Sequence, residues 1–119
     1  MKKVLVVEDD KEIRNLIVEL LEDQSYVARP AMNGQVALEI LARDPAFDLI
    51  LLDLMMPVLD GFAFRTEQLS DIRFAKIPVI IMSADGHIAQ KLERAQARKF
   101  VKKPIDMDHF LATIAAALI

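Results

Sequence analysis

The chain has no cysteine. That excludes disulfides, thiolate-held metals and cysteine nucleophiles, and leaves the redox compartment open. Glycine is scarce too: Gly34, Gly61 and Gly86 are the only three. None forms a phosphate-cradling loop, which argues against a dinucleotide or flavin module. Positive charge is not in surplus, with 15 Lys and Arg against 18 Asp and Glu, a net charge of −3. There is therefore no electrostatic case for direct nucleic-acid binding by this chain. No apolar run approaches the length of a transmembrane helix. Met1-Lys2-Lys3 followed by Val4 to Val7 has the outline of a signal sequence, but the apolar stretch stops at Glu8-Asp9-Asp10. A soluble, cytoplasmic protein without a membrane partner is expected. What the chain has is apolar residues, at 54%. That excludes a disordered polymer and suits a sheet covered on both faces. Its 119 residues are expected to form one domain, 1–119.

Apolar runs of strand length alternate with segments of helical period. Strands are predicted near 3–8, 26–30, 48–53, 78–83 and 99–102, and helices near 10–22, 34–43, 61–70, 87–96 and 106–118. Ile13, Leu16, Ile17, Leu20 and Leu21 make one stripe in the first helix, and Phe110, Leu111, Ile114 and Leu118 recur similarly in the last. Asp106 is placed to cap the last helix. Five β–α repeats with continuous rather than alternating strand patterns predict a doubly wound α/β fold, a parallel sheet with helices on both faces. Right-handed crossovers bring every strand C-terminus to one edge, where ligands of such sheets bind. Glu8, Asp9, Asp53, Ser83 and Lys103 all fall at that edge.

Leu49 to Leu52 run straight into Asp53. A carboxylate at the tip of an apolar strand is costly unless its charge is used. Two or three carboxylates and a backbone carbonyl suffice for magnesium, which prefers oxygen ligands and keeps waters. Glu8 and Asp9 end the first strand and are assigned to the metal; Asp10 is assigned to the helix cap, with Glu12 as its capping-box partner. Asp53 is the candidate nucleophile, since a carboxylate can accept a phosphoryl group as an acyl phosphate. Such transfer needs mostly positioning and charge neutralisation, which a metal on one side and Lys103 on the other would supply. Alone, Asp53 reads as a turn residue before Pro57, and Ser83 as a cap for the helix beginning around Gly86. Lys99 and Lys102 read as solvated lysines. Lys103 stands out because Pro104 follows, and an X–Pro bond can be cis and redirect a side chain. Phe100 is by default a core residue. His87 and His109 lack ligand spacing and read as surface residues, and Met32, Met55, Met56, Met82 and Met107 as core filler.

Val6-Val7-Glu8-Asp9-Asp10, the run into Asp53, Met56-Pro57 with Asp60-Gly61, Met82-Ser83-Ala84 and Lys103-Pro104 together resemble the receiver domain of two-component response regulators. The resemblance covers about residues 3–118, with the motifs in the family's order and approximate spacing. It implies a flavodoxin-like fold, strand order 2-1-3-4-5 with five helices. It implies that Asp53 takes a phosphoryl group from the phosphohistidine of a histidine kinase or a phosphotransfer protein. Asp9, Asp53 and the Met55 carbonyl would bind Mg2+ directly, Glu8 mainly through water, and Lys103 would contact the phosphoryl group across a cis bond to Pro104. Ser83 matches the switch hydroxyl and Phe100 the switch aromatic. In the family the hydroxyl moves toward the phosphoryl group and the ring swings inward behind it. That remodels the face of the fourth helix, fifth strand and fifth helix, which a downstream effector or output domain reads.

The sequence departs from the family pattern between Ser83 and Phe100, where a shortened segment implies a truncated fourth helix or leading loop. Gln96-Ala97 replaces a common Gly-Ala turn, Arg98 and Lys99 replace residues that are often acidic, and Phe100 lacks the hydroxyl of the commoner tyrosine. These changes leave open a second function, a constitutive docking module or phosphate sink with a weakened switch. A third, a Mg2+-dependent aspartyl-phosphate phosphatase, needs a second acid two residues beyond the nucleophile, and Met55 stands there. The resemblance implies a switch that catalyses only its own phosphorylation and dephosphorylation. The apolar segment from Phe110 to Ile119 leaves room for a homodimer.

Overall fold

Residues 1–84 and 86–119 are described by a computed structural model. Five strands and five helices alternate along the chain: β1 (Lys3–Val7), α1 (Lys11–Asp23), β2 (Val27–Ala31), α2 (Gly34–Arg43), β3 (Leu49–Asp53), α3 (Gly61–Leu69), β4 (Val79–Ser83), α4 (Ile88–Ala95), β5 (Lys99–Lys102) and α5 (Met107–Ala117). The strands form one parallel sheet in the order β2-β1-β3-β4-β5. The doubly wound parallel sheet is as the strand and helix pattern predicts, and its order is the flavodoxin-like one that the family resemblance implies.

The continuous apolar strands are explained by burial on both sides. Leu5, Val7, Ile50, Leu52, Val79 and Ile81 pack under α2, α3 and α4, against Ala37, Leu41, Phe64 and Ala95. The alternate residues Val4, Val6, Leu49, Leu51, Ile80, Met82 and Val101 pack under α1 and α5, against Ile17, Leu21, Phe110 and Ile114. Period-two alternation along each strand thus feeds two cores rather than one core and solvent. The edge strand β2 is guarded by Pro30, which has no N–H to offer a further strand.

Helix starts are set by short acceptors. Asp10, Asn33, Asp60 and Asp106 cap α1, α2, α3 and α5, each accepting from a backbone N–H of the first turn. The expected capping box at α1 is replaced. The Asp10 N–H donates to Glu8 Oε2 at 3.2 Å, because Glu12 lies one position short of the place from which a side chain reaches back. Leu16, counted in the α1 stripe, is 47% exposed; the stripe is carried by Ile17 and Leu21, with Ile13 and Leu20 half-buried. On α5, Phe110 and Ile114 are fully buried, so the tail's apolar stripe is used by the sheet. Of the five methionines taken as core filler, Met56 and Met82 are buried, while Met32, Met55 and Met107 are exposed because they sit in loops or on a solvent-facing turn. None of the described helices is long and apolar enough to cross a membrane.

Candidate functional site

Strand register assembles the site. Val7 pairs with Leu52, so Glu8 and Asp53 are the next residues along β1 and β3. Asp53 is level with Met82, and Ser83 with Lys102, which sets Lys103 just beyond. The Lys103 N–H continues the ladder onto the Ser83 carbonyl at 2.9 Å. Glu8, Asp9, Asp10, Ile13, Asp53, Met55, Ser83, Ala84 and Lys103 therefore line one open cleft at the C-terminal edge of the sheet.

One carboxylate oxygen from each of Glu8, Asp9 and Asp53 falls within 4.8 Å of the others. Glu8 is fully buried and Asp53 nearly so, while Asp9 is exposed. The Lys103 ammonium is in ionic contact with Glu8 Oε1 and lies 3.4 Å from Asp53 Oδ2. Asp53 Oδ1 accepts the Met55 N–H at 3.1 Å. The Lys103–Pro104 bond is cis, as expected.

The charges are unbalanced, and the proton affinities record it. Burial, reinforced by a hydrogen bond with Glu8 and by its charge, pushes the Asp53 carboxyl from 3.8 up to about 8; Lys103 and the Met55 N–H offset only part of this. Burial also raises Asp9, but hydrogen bonding with Asp53 and Glu8 outweighs it and leaves Asp9 below the usual carboxylate range. For Lys103, burial lowers the ammonium, yet contact with Glu8 and the charge of Asp53 win, so its affinity for the proton is raised.

Three carboxylates with one lysine between them form an oxygen-rich, under-compensated cluster. Among the described residues, buried Glu8 Oε1 has no hydrogen-bond partner apart from its ionic contact with Lys103. That donor set fits a hard divalent cation such as Mg2+.

Ser83 is buried and accepts a hydrogen bond from Lys91 Nζ of α4 at 3.0 Å. It does not cap α4, whose N-cap is His87. Phe100 is no core residue. It is 37% exposed, because the edge strand β5 is buried on the α5 side at Val101 but incompletely covered on the other. His87, His109, Lys99 and Lys102 lie on the surface as expected.

Arg14 escaped the sequence reading, and Gly61 was read there only as part of the Asp60-Gly61 motif, with no role of its own. Arg14 Nη1 donates to the carbonyl oxygens of Glu8, at 2.9 Å, and Asp9, at 3.3 Å, which fixes the loop presenting the acids. Its place on the polar side of α1 gave no signal. Gly61 lets α3 start against the end of β3: a Cβ there would come within 2.6 Å of the Asp53 carbonyl oxygen.

A doubly wound sheet with acids, a hydroxyl and a lysine at its C-terminal edge defines an α/β protein built for an anionic or cationic ligand at that edge. The chain belongs to the response regulator receiver domain family, whose model matches residues 4–115. It is 35% identical over 99% of its length to the DNA-binding dual master transcriptional regulator RpaA of Synechocystis, of which it spans 49%. It is 32% identical to Protein PilH of Pseudomonas aeruginosa over 99% of this chain and 98% of that one. Among solved structures, chemotaxis protein CheY4 of Vibrio cholerae superposes with a TM-score of 0.91 at 28% identity, covering 99% of both chains.

Proposed function

We propose that this chain is a phosphorylatable signalling switch in which Asp53 accepts a phosphoryl group from the phosphohistidine of a histidine kinase or phosphotransfer protein. The observation that carries this reading is the joint presence of Glu8, Asp9, Asp53, Ser83 and Lys103 around one cleft. In the transfer, an Asp53 carboxylate oxygen forms a bond to phosphorus while the P–N bond of the donor breaks. The electron pair stays on the imidazole nitrogen, which takes up a proton. The product is an acyl phosphate.

Asp53 must act as a carboxylate, and two neighbours favour that form: the Met55 N–H on Oδ1 and the Lys103 ammonium facing Oδ2. Those contacts also orient the carboxylate, which is most of what a loose phosphoryl-transfer transition state requires. Lys103 is held by Glu8 within reach of charge developing on the phosphoryl oxygens. The Ser83 hydroxyl, at the end of the strand next to that of Asp53, can donate to one of those oxygens. Glu8, Asp9, Asp53 and the Met55 carbonyl would hold Mg2+, which supplies positive charge that neutralises carboxylates and phosphoryl oxygens together.

The output is a population shift between two packings of the α4–β5–α5 face, biased by contacts available only when Asp53 carries phosphate. The Phe100 ring is 37% exposed, so an inward swing would bury more of it and favour the phosphorylated packing. A downstream effector or an output domain would read that face. A docking module with a weakened switch is the second reading, favoured by Arg65, which holds the end of α4 through the Ala95 and Gln96 carbonyls.

Intact-protein mass after incubation with acetyl phosphate tests the proposal. One Mg2+-dependent phosphoryl adduct, absent from Asp53→Asn, is expected. No adduct on a folded wild type would overturn the phosphoacceptor role and leave the docking reading.

A further inference from the structure

Lys91 joins a helix to the pocket. Its ammonium donates to Ser83 Oγ at 3.0 Å from the second turn of α4. The side chain is half-buried and runs along a groove shared with Met55, Phe62 and Arg94. Ser83, in turn, lines the cleft that holds Asp53 and Lys103. One hydroxyl is thus shared between α4 and the pocket.

A serine hydroxyl has two acceptor lone pairs and one proton. Accepting from Lys91 occupies one of those lone pairs. The bond is charge-assisted, hence stronger than a neutral one. The ends of α4 are unequal. Its start, His87, has left-handed backbone (φ 61°) and no side-chain cap. Its end is held by Arg65, which donates to the carbonyls of Ala95 and Gln96, each at 2.8 Å.

We propose that Lys91 is a positioning residue that couples α4 to the occupancy of the pocket by holding Ser83 Oγ. When Ser83 turns toward a phosphoryl group on Asp53, the Lys91–Ser83 bond either pulls the first turns of α4 with it or breaks. If it pulls, α4 moves about the end that Arg65 holds; if it breaks, the first turn of α4 loses a hold and exchanges faster. The inference rests on the proposed phosphoacceptor role of Asp53 only for its second half; the Lys91–Ser83 tie stands or falls without phosphate.

The experiment is amide hydrogen exchange of residues 88–95 in wild type, Ser83→Ala, Lys91→Met, Lys91→Arg and the Ser83→Ala/Lys91→Met double variant. Methionine keeps the packing of the lysine stem and removes only the charge and donors. Without phosphate, each of the two single deletions is expected to speed exchange in α4 about three- to tenfold, and the double no further than either. The double-mutant cycle isolates this pair from every other contact of the two side chains. Lys91→Arg should restore slow exchange. Additive single effects would overturn the tie. At equal adduct occupancy after acetyl phosphate and Mg2+, the phosphate-dependent change in α4 should be present in wild type and Lys91→Arg and missing in Lys91→Met. Its persistence in Lys91→Met would overturn the coupling. A wild type that forms no adduct would refute the phosphoacceptor reading and, with it, the coupling to phosphate, while the unphosphorylated cycle would still decide the tie.

Discussion

Arg65 donates from Nη2 to the carbonyl oxygen of Gln96 at 2.8 Å, across the gap between α3 and α4. The same guanidinium donates from Nε to the Ala95 carbonyl and from Nη1 to Gln68 Oε1. Gln68 is fully buried and passes the link on, donating from Nε2 to the carbonyls of Phe74 and Ile77 ahead of β4. Burial lowers the proton affinity of Arg65, but a guanidinium stays charged at any physiological pH. Carbonyls at a helix end that lose such a donor must find water or remain unmet. Arg65→Met is expected to cost about 1–3 kcal/mol, read as a lower urea midpoint at unchanged slope. An unchanged midpoint would show that water replaces the guanidinium without loss.

Gln96 itself carries left-handed backbone, φ 52°, at the C-cap of α4. That conformation costs a side-chain-bearing residue what it costs glycine nothing. The side chain is exposed, so little packing is lost on its removal. Gln96→Gly should stabilise the fold by about 0.5–1 kcal/mol, after allowing for the greater freedom of glycine in the unfolded chain. A lower thermal midpoint would contradict the strain argument.

The same position shows how sequence reading divides into what it reaches and what it misses. Element order and sheet class were legible because strand and helix periods are local, and because handed crossovers leave few topologies. The cleft residues were legible because each ends a strand, and parallel strands all end at one edge. Contacts made by long, flexible side chains were not. Arg14, Arg65 and Lys91 lie on polar helix faces, where most such residues are merely solvated, and no spacing marks the one that reaches a carbonyl or hydroxyl. Phe100 failed differently: an aromatic residue on a strand reads as core, but how far an edge strand is covered depends on how its neighbouring helix packs.

Gly61 illustrates a constraint that composition hides. A Cβ there would lie 2.6 Å from both the Asp53 carbonyl oxygen and the Leu54 Cα, which are backbone atoms that cannot rotate away. Gly61→Ala therefore forces α3 and the end of β3 apart. We expect about 1–3 kcal/mol of destabilisation and, because Asp53 moves with its backbone, slower adduct formation from acetyl phosphate in protein that is still folded. An adduct rate equal to wild type, alongside a lowered melting temperature, would confine Gly61 to packing.

One turn along the same helix, Phe64 gives a simpler expectation. Phe64 is fully buried in the core cluster under α2, α3 and α4, which also holds Leu41 and Leu52. Phe64→Ala should cost about 3–5 kcal/mol, since the rigid sheet behind it cannot collapse into the void. Chemical denaturation measures this directly, and a cost below about 1 kcal/mol would mean the layer repacks.

Asp53 sets the pH dependence of the metal-free protein. Its carboxyl titrates near 8 when folded, against 3.8 ordinarily, chiefly through burial and then through Glu8. The folded state thus holds this proton more tightly than the unfolded chain does. The associated stability is fully present below the unfolded value and is lost as pH rises from about 4 to about 8. Asp9 and Lys103 act outside that window. The lowered Asp9 matters only as pH falls below its ordinary 3.8, and the raised Lys103 only above its ordinary 10.5. With a chelator present, wild type should therefore lose stability between pH 5 and pH 8 relative to Asp53→Asn, which cannot ionise. The gap should widen steadily across that range and be largest near pH 8. Millimolar Mg2+ should narrow it, because a cation among Glu8, Asp9 and Asp53 stabilises the ionised cluster in wild type and has fewer charges to bind in the variant. Parallel stability curves for the two proteins across that range would show that burial and Glu8 do not hold the Asp53 proton, and the cleft would then be wetter than its geometry indicates.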